Sequence, residues 1–325
     1  MTARRVTTSD IARSLGISRA TVGYVLNDTP GQTISEATRR RVLAEAERLG
    51  YRPNAAATAL ARGSSRVVLF LLPDWPVGHT LREYLEEATS VLDGAGYSLV
   101  TAMSRTSGQS RPLWETLDPD FVVPVAPLTD AELAAFRRPG APRVLAGGEQ
   151  VPEQLPATQA GSTLQVRHLH DLGHTRLAFA YPADPRVAGL ASARAAAVRA
   201  QAAKLGLRVT GERMISDTDD SAGSAVHDWL ATGVTGVVAY NDNTAAAVVG
   251  AAIHAGVAVP DRLAVVGHDD SPLARLFLPA LTSVRTDAAA MGRRTAQAVL
   301  HSLGVREEPP APVAINATVV RRATT

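Results

Sequence analysis

The spacing of apolar and polar positions changes once along the chain, near residue 63. Over residues 6–62 apolar side chains recur at helical spacing: Ile11, Ala12 and Leu15, then Val22, Val25 and Leu26, then Val42, Leu43, Ala46 and Leu49. Three helices with one shared core are predicted. Thr7 or Thr8 can cap the first, and Asp10 favours its positive N-terminal end. Gly16 permits a sharp turn, because glycine takes positive φ without a Cβ clash. Ser18 can cap the second helix. Ser35 can cap a third running to about Leu49, with Arg39, Arg40, Arg41 and Arg48 outward and Gly50 closing it. Pro53 can then start a short alanine-rich helix up to Ala61. That helix is too short to be stable alone in water, but DNA can order it.

From residue 66 the pattern is different. RVVLFLL at 66–72 is a continuous apolar run ending in Pro73, as a buried parallel strand would be. Short apolar strands are predicted at 98–102, 121–125, 143–146, 176–180, 236–240 and 263–266. Amphipathic helices at 81–93, 188–205, 242–255 and 288–303 lie between them. Such alternation implies parallel sheets with right-handed crossovers. Two Rossmann-like units facing a cleft fit the length of 325 residues. The expected organisation is an all-α unit at 1–62 and an α/β unit at 63–325.

Charge sharpens this division. Residues 1–66 carry eleven arginines against five carboxylates, a net +6, whereas the remainder carries 22 Lys and Arg against 26 Asp and Glu, a net −4. A basic head on an acidic body is the electrostatic outline of a DNA-binding module. Lys204 is the single lysine, so arginine use is biased throughout, and the asymmetry carries more information than the arginine count. With no cysteine, disulfides and thiol metal sites are excluded, which fits a cytoplasmic protein. The first ten residues hold no apolar run for a secretion signal, and no stretch has the length and uniform apolarity of a membrane helix.

The second predicted helix leaves Arg19, Ala20, Thr21, Gly23 and Tyr24 near its exposed N-terminal part. In a helix-turn-helix those positions reach base edges in the major groove. A helical bundle with no nucleic-acid role shows the same periodicity, so the motif alone does not decide. The basic third helix and the proline-started segment after it favour DNA.

These stretches, "DIARSLGISRATV", "VLND" and "SEATRRRVLAEAERLGYRPNAAATAL", closely resemble the DNA-binding headpiece of the lac repressor (LacI/GalR) family of bacterial transcription regulators. The resemblance continues through "HLHDLGHTRLAF", "VVAYNDNTAAAVVGAAIHAGVAVPDRLAVVGHDD" and "LPALTSVRTDAAAMGRRTAQAVL", so it spans nearly the whole chain. It implies a helix-turn-helix headpiece with a hinge helix, joined to a periplasmic-binding-protein-like (type I) effector domain of two lobes. It implies a repressor that binds a pseudo-palindromic operator as a homodimer and answers to a small molecule: a sugar, a nucleobase or another metabolite. By resemblance, Arg19, Ala20 and Tyr24 are variable base-reading positions, and Thr7, Ser18, Thr21, Asn27 and Asn54 complete the DNA contacts. Leu60, with Ala57 beside it, stands where the family places an apolar wedge in the minor groove.

For the effector, the resemblance assigns Arg194, Asn241 and Asp269, residue types that grip polar edges by paired hydrogen bonds. Asp242 and Asp270 are expected to cap helices or brace loops. The other wall departs from the family pattern. Thr80 and Leu81 replace paired aromatics, Gly147 and Gly148 an Asp-Arg, Ala157 an aspartate, and His268 the aromatic of "G-aromatic-D-D". Thr218 stands where a stacking aromatic is frequent. These losses weaken a sugar assignment and leave open a degenerate pocket in an effector-independent regulator. Trp75 can supply a replacement stacking surface.

Two other functions weigh less. His168, His170 and His174 with His268-Asp269-Asp270 could suggest a metal or acid–base site, but no carboxylate is placed as a base. There is no nucleophile elbow, P-loop or H-E-x-x-H motif. No enzyme activity, cofactor or metal is expected. A transporter's solute-binding protein is opposed by the missing export signal and by the headpiece.

Overall fold

The computed structural model describes residues 6–27, 29, 31–52, 57, 59, 62–103, 111–138, 140–145, 154–311 and 316–325, with the backbone alone for 154–158. The chain divides into two compact units between Arg66 and Val67.

The N-terminal unit is three helices, α1 (Thr8–Leu15), α2 (Arg19–Leu26) and α3 (Glu36–Arg48). Local chemistry sets their ends. The Asp10 carboxylate accepts from the Thr7 amide at 2.9 Å and from its hydroxyl at 2.7 Å, fastening the start of α1. Gly16 ends that helix at φ 65°, where a side chain would be strained. Ser18 accepts from the Thr21 amide at 3.0 Å, and Ser35 from the Thr38 amide at 3.2 Å. Ile11, Ala12, Val22, Val25, Val42 and Ala46 form the buried core. Leu43, expected inward, is 49 % exposed. It lies one position, about 100°, round α3 from Val42, so it misses the narrow apolar stripe.

The C-terminal unit holds two sheets. The first has the order β2-β1-β3-β4, all parallel: β1 (Val67–Leu72), β2 (Ser98–Met103), β3 (Phe121–Pro124) and β4 (Arg143–Val144). Helices α4 (His79–Gly94), α5 (Leu113–Leu117) and α6 (Asp130–Phe136) follow its strands. The chain then enters a second lobe through α7 (Gln154–Asp171), β5 (Arg176–Pro182), α8 (Ala188–Lys204), β6 (Arg208–Ile215), α9 (Ser221–Ala231), β7 (Gly236–Ala239), α10 (Asp242–His254), β8 (Ala264–His268), α11 (Pro272–Leu276) and β9 (Thr282–Thr286). Helix α12 (Ala288–Ser302) returns to the first lobe, where Ala288, Ala296, Val299 and Leu300 join the core of Phe70, Tyr84 and Leu92. Finally β10 (Ala317–Val320) pairs antiparallel with β9 in the second lobe. The second sheet therefore runs β10-β9-β8-β7-β5-β6. Its one antiparallel edge departs from the all-parallel expectation.

Strands buried on both faces explain the unbroken apolar runs. Val237, Val238, Val265 and Val266 are fully buried between the α7–α8 face and the α9–α10 face. One polar side chain crosses this interior. The buried Gln165 amide of α7 donates to the carbonyls of Ala239 and Gly267 at 2.9 Å each and of Val266 at 3.2 Å. It satisfies the backbone at the carboxyl ends of β7 and β8, where the cavity opens.

Candidate DNA-reading unit and ligand cavity

In the N-terminal unit, α2 buries Val22 and Val25 and turns Ser18, Arg19, Ala20 and Tyr24 outward. Tyr24 is 39 % exposed. Thr7 is exposed, and Thr21 and Asn27 are half-buried. The Arg19 Nε donates to Thr8 Oγ1 at 3.3 Å, so the guanidinium lies back across the start of α1 and must swing to reach a base. The Asn27 carbonyl accepts from Arg62 at 3.4 Å. Ala57 is helical and exposed, whereas Asn54 and Leu60, together with Pro53, lie outside the described residues.

The C-terminal unit contains a cavity of about 1100 Å³ between its lobes. Arg194, Asn241 and Asp269, far apart in sequence, all line it. So do Thr80, Leu81, Trp75 and His268. Asn241 is the N-cap of α10: its Oδ1 accepts from the Thr244 amide at 2.9 Å and hydroxyl at 3.0 Å. With its oxygen committed, the amide nitrogen is left as a donor.

Asp269 and Asp270 follow β8 with φ of 95° and 44°, so the backbone turns sharply through two left-handed residues. The two carboxylates consequently serve different places. Asp270 is buried and paired with Arg285 and with Arg322, the latter at 2.6 Å, bracing β9 and the C-terminal segment. Asp269 lines the cavity with its side chain 20 % exposed. Its Oδ1 meets His268 Nδ1 at 2.8 Å and Arg194 Nη2 at 3.4 Å, and the Thr80 hydroxyl of the first lobe bonds to the same carboxylate. Burial raises the Asp269 pKa, but the Arg194 charge and the His268 hydrogen bond outweigh it and hold the carboxyl well below the usual carboxylate range.

Arg194, assigned to the effector, is partly committed within the protein, while its buried Nε has no hydrogen-bond partner among the described residues. It is buried, donates to the Tyr240 carbonyl and to Asp269, and stacks over the Tyr240 ring at 4.6 Å. Its geometry aims Asp269. His268 is 1 % exposed; burial, followed by the Arg194 charge, lowers its pKa. Its Nε2 faces Gly161 of α7 without a hydrogen-bond partner among the described residues. Asp242 accepts from the Ser271 amide at 2.6 Å and from the Ser283 hydroxyl, and burial pushes its pKa up to about 6.

Of the departing positions, Thr218 is not among the cavity residues, and Gly147, Gly148 and the Ala157 side chain lie outside the described residues. Sequence reasoning missed Asn243, Ser216 and Asp217, which also line the cavity. The placement of Asn243, two residues past Asn241 in the first turn of α10, was legible; Ser216 and Asp217, just past β6, gave no pattern. Among the described residues no group of three His, Asp or Glu is placed to hold a metal. His174 instead meets Thr235 Oγ1 at 2.9 Å, and His168 meets Thr325 Oγ1 at 2.8 Å.

Residues 7–54 match the family described as bacterial regulatory proteins, lacI family, and residues 166–325 match a periplasmic binding protein-like domain. The chain is 31% identical over 329 residues to the HTH-type transcriptional regulator MalR of Streptomyces coelicolor, covering 93% of this chain and 91% of the relative. It is 30% identical over 339 residues to GalR of Escherichia coli, covering 97% and 94%. A lac repressor dimer solved with operator and the anti-inducer ONPF superposes with a TM-score of 0.78 at 23% identity over 99% of both chains, a likeness of fold. The chain belongs to the LacI family. It is a DNA-binding transcriptional regulator, not an enzyme. Among the described residues no helix is long and apolar enough to cross a membrane.

Proposed function

We propose that the protein is a cytoplasmic repressor that binds a pseudo-palindromic operator as a homodimer, with DNA affinity modulated by a small molecule in the interlobe cavity. The observation that carries this reading is the outward face of α2. Ser18, Arg19, Ala20 and Tyr24 are exposed on a helix whose opposite side is locked into a core. Arg19, Ala20 and Tyr24 set sequence preference; Thr7, Ser18, Thr21, Asn27 and Asn54 position the unit; Ala57 and Leu60 act from the segment after it. Two such units, one helical turn apart, meet two half-sites. For self-association the support is Leu276 and Leu278 on the second lobe, 71 % and 85 % exposed, which a second copy would cover. For modulation it is the convergence of Arg194, Asn241 and Asp269 on one cavity between lobes that can reorient.

Selection of full-length protein on random double-stranded oligonucleotides at low salt tests the proposal. The expected product is an enriched motif with two-fold symmetry. No enriched sequence would refute DNA reading, and a single asymmetric half-site would refute the dimer.

A further inference from the structure

The two walls of the cavity differ in chemistry. All charged side chains that line it among the described residues come from the second lobe, Arg194 and Asp269 deepest. The first lobe contributes Trp75, Leu81, Val125, Pro127 and Met291. Prolines at 76, 124 and 127 also lack a backbone N–H, and the side-chain hydroxyls on this wall among the described residues are those of Thr80 and of the buried Tyr84. Its Thr80 hydroxyl is already spent on Asp269.

A polyol presents hydroxyls on every side, and each one buried without a partner is costly. Here, among the described residues, every charged group answers from one side and the facing wall is mostly apolar. Asp269, held ionised, accepts; the Asn241 amide, its oxygen tied to Thr244, donates. Trp75 adds a flat apolar surface. It lines the cavity from the first lobe and also packs against the second-lobe cluster containing Val187, Ala191 and Tyr240, so its ring spans the two lobes at the cavity wall.

We propose that the cavity takes a planar aromatic or heteroaromatic molecule with one polar edge, an N–H beside a C=O, rather than a polyol. Asp269 accepts from the N–H, the Asn241 amide donates to the C=O, and Trp75 covers the ring face. Thr80 sets selectivity as well, since its hydroxyl shares the Asp269 carboxylate with the ligand. This assignment rests on the reading of the cavity as the effector site.

The test uses the full chain, with uracil, hypoxanthine and nicotinamide as planar probes and galactose, ribose and maltose as polyols. Binding is followed by thermal shift and tryptophan fluorescence, and DNA affinity by anisotropy on the selected operator. Trp229 is buried in the second-lobe core and Trp114 packs on Phe136, which leaves Trp75 as the tryptophan at the cavity. At least one planar probe should raise Tm and quench fluorescence, and the polyols should do neither. Asp269→Ala and Trp75→Ala should each weaken that probe by about tenfold or more, roughly one decade in Kd. Trp75→Phe should keep the affinity and lose the quench. The proposal is overturned if a polyol binds more tightly than every planar probe, if no planar probe binds at millimolar concentration, or if Trp75→Ala and Asp269→Ala both leave the affinity unchanged. A planar probe that binds through Trp75 and Asp269 without moving DNA affinity upholds the ligand class and refutes modulation. A polyol that binds and moves DNA affinity does the reverse.

Discussion

Replacing Gly161 by alanine tests how the Asp269 carboxylate is held. Gly161 lies within α7, where alanine in place of glycine ordinarily stabilises by about 1 kcal/mol. Here a Cβ would stand 3.0 Å from His268 Cδ2 and 3.2 Å from Cε1, and closer still to Nε2. His268 is 1 % exposed, and a shift away from the new methyl would strain or break its 2.8 Å bond to Asp269. Overpacking costs about 1–3 kcal/mol. Losing a hydrogen bond to a charged acceptor costs about 1.5–3 kcal/mol. Set against the helix gain, Gly161→Ala should destabilise by about 1.5–5 kcal/mol. In a His268→Ala background the obstacle is gone, and the same change should be neutral or stabilise by up to about 1 kcal/mol. Urea denaturation of the four proteins of this cycle measures the coupling. A coupling below about 0.5 kcal/mol, the level expected of independent sites, would refute the packing of His268 between Gly161 and Asp269.

Three further outcomes follow from the structure. Asp242 releases its proton near its ordinary value when unfolded and at about 6 when folded, so its contribution to stability falls as pH rises from about 4 to about 6 and is flat above; Asp242→Asn should remove that fall in pH-dependent denaturation, and an unaltered profile would show that Asp242 is not the group responsible. Leu276→Asp with Leu278→Asp should shift sedimentation from dimer to monomer, remove the dependence of Tm on protein concentration and weaken operator binding; a variant that stays dimeric would place the self-contact elsewhere. Arg19→Ala should relax preference at one base pair per half-site, with about 1–3 kcal/mol of discrimination lost, and an unchanged selected motif would remove Arg19 from base reading.

The headpiece was largely legible because its signals are local. Ser18, Ser35 and Gly16 act within one helical turn, and the apolar spacing of Ile11, Val22 and Val42 is fixed by 3.6 residues per turn. Leu43 was misread because a stripe only two helices wide has edges that periodicity does not locate. The buried strands β1, β3, β7 and β8 were visible as apolar runs, their ends within a residue or two of the expected bounds. By contrast β6 (RVTGERMI), β9 (TSVRT) and β10 (ATVV) were not among the expected strands. Each is a short or polar segment whose strand state depends on a neighbour already in place. In the cavity, Asn241 and Asp269 were found through resemblance. What they do was not legible, because it depends on the Oδ1 of Asn241 being committed to Thr244 and on Gly161 backing His268.

The order in which the chain visits the lobes bears on how such regulators diversify. The DNA-reading unit is one uninterrupted stretch ending at Arg66, so a single recombination event between two genes exchanges it whole. Neither lobe of the larger unit can move that way. The chain leaves the first lobe after β4, comes back with α12 and departs again to place β10, so a lobe transplant needs three simultaneous breakpoints. Operator preference can therefore be inherited as a block. Ligand preference must be revised residue by residue, in place, and Thr80, Leu81 and His268 stand where such revisions would accumulate.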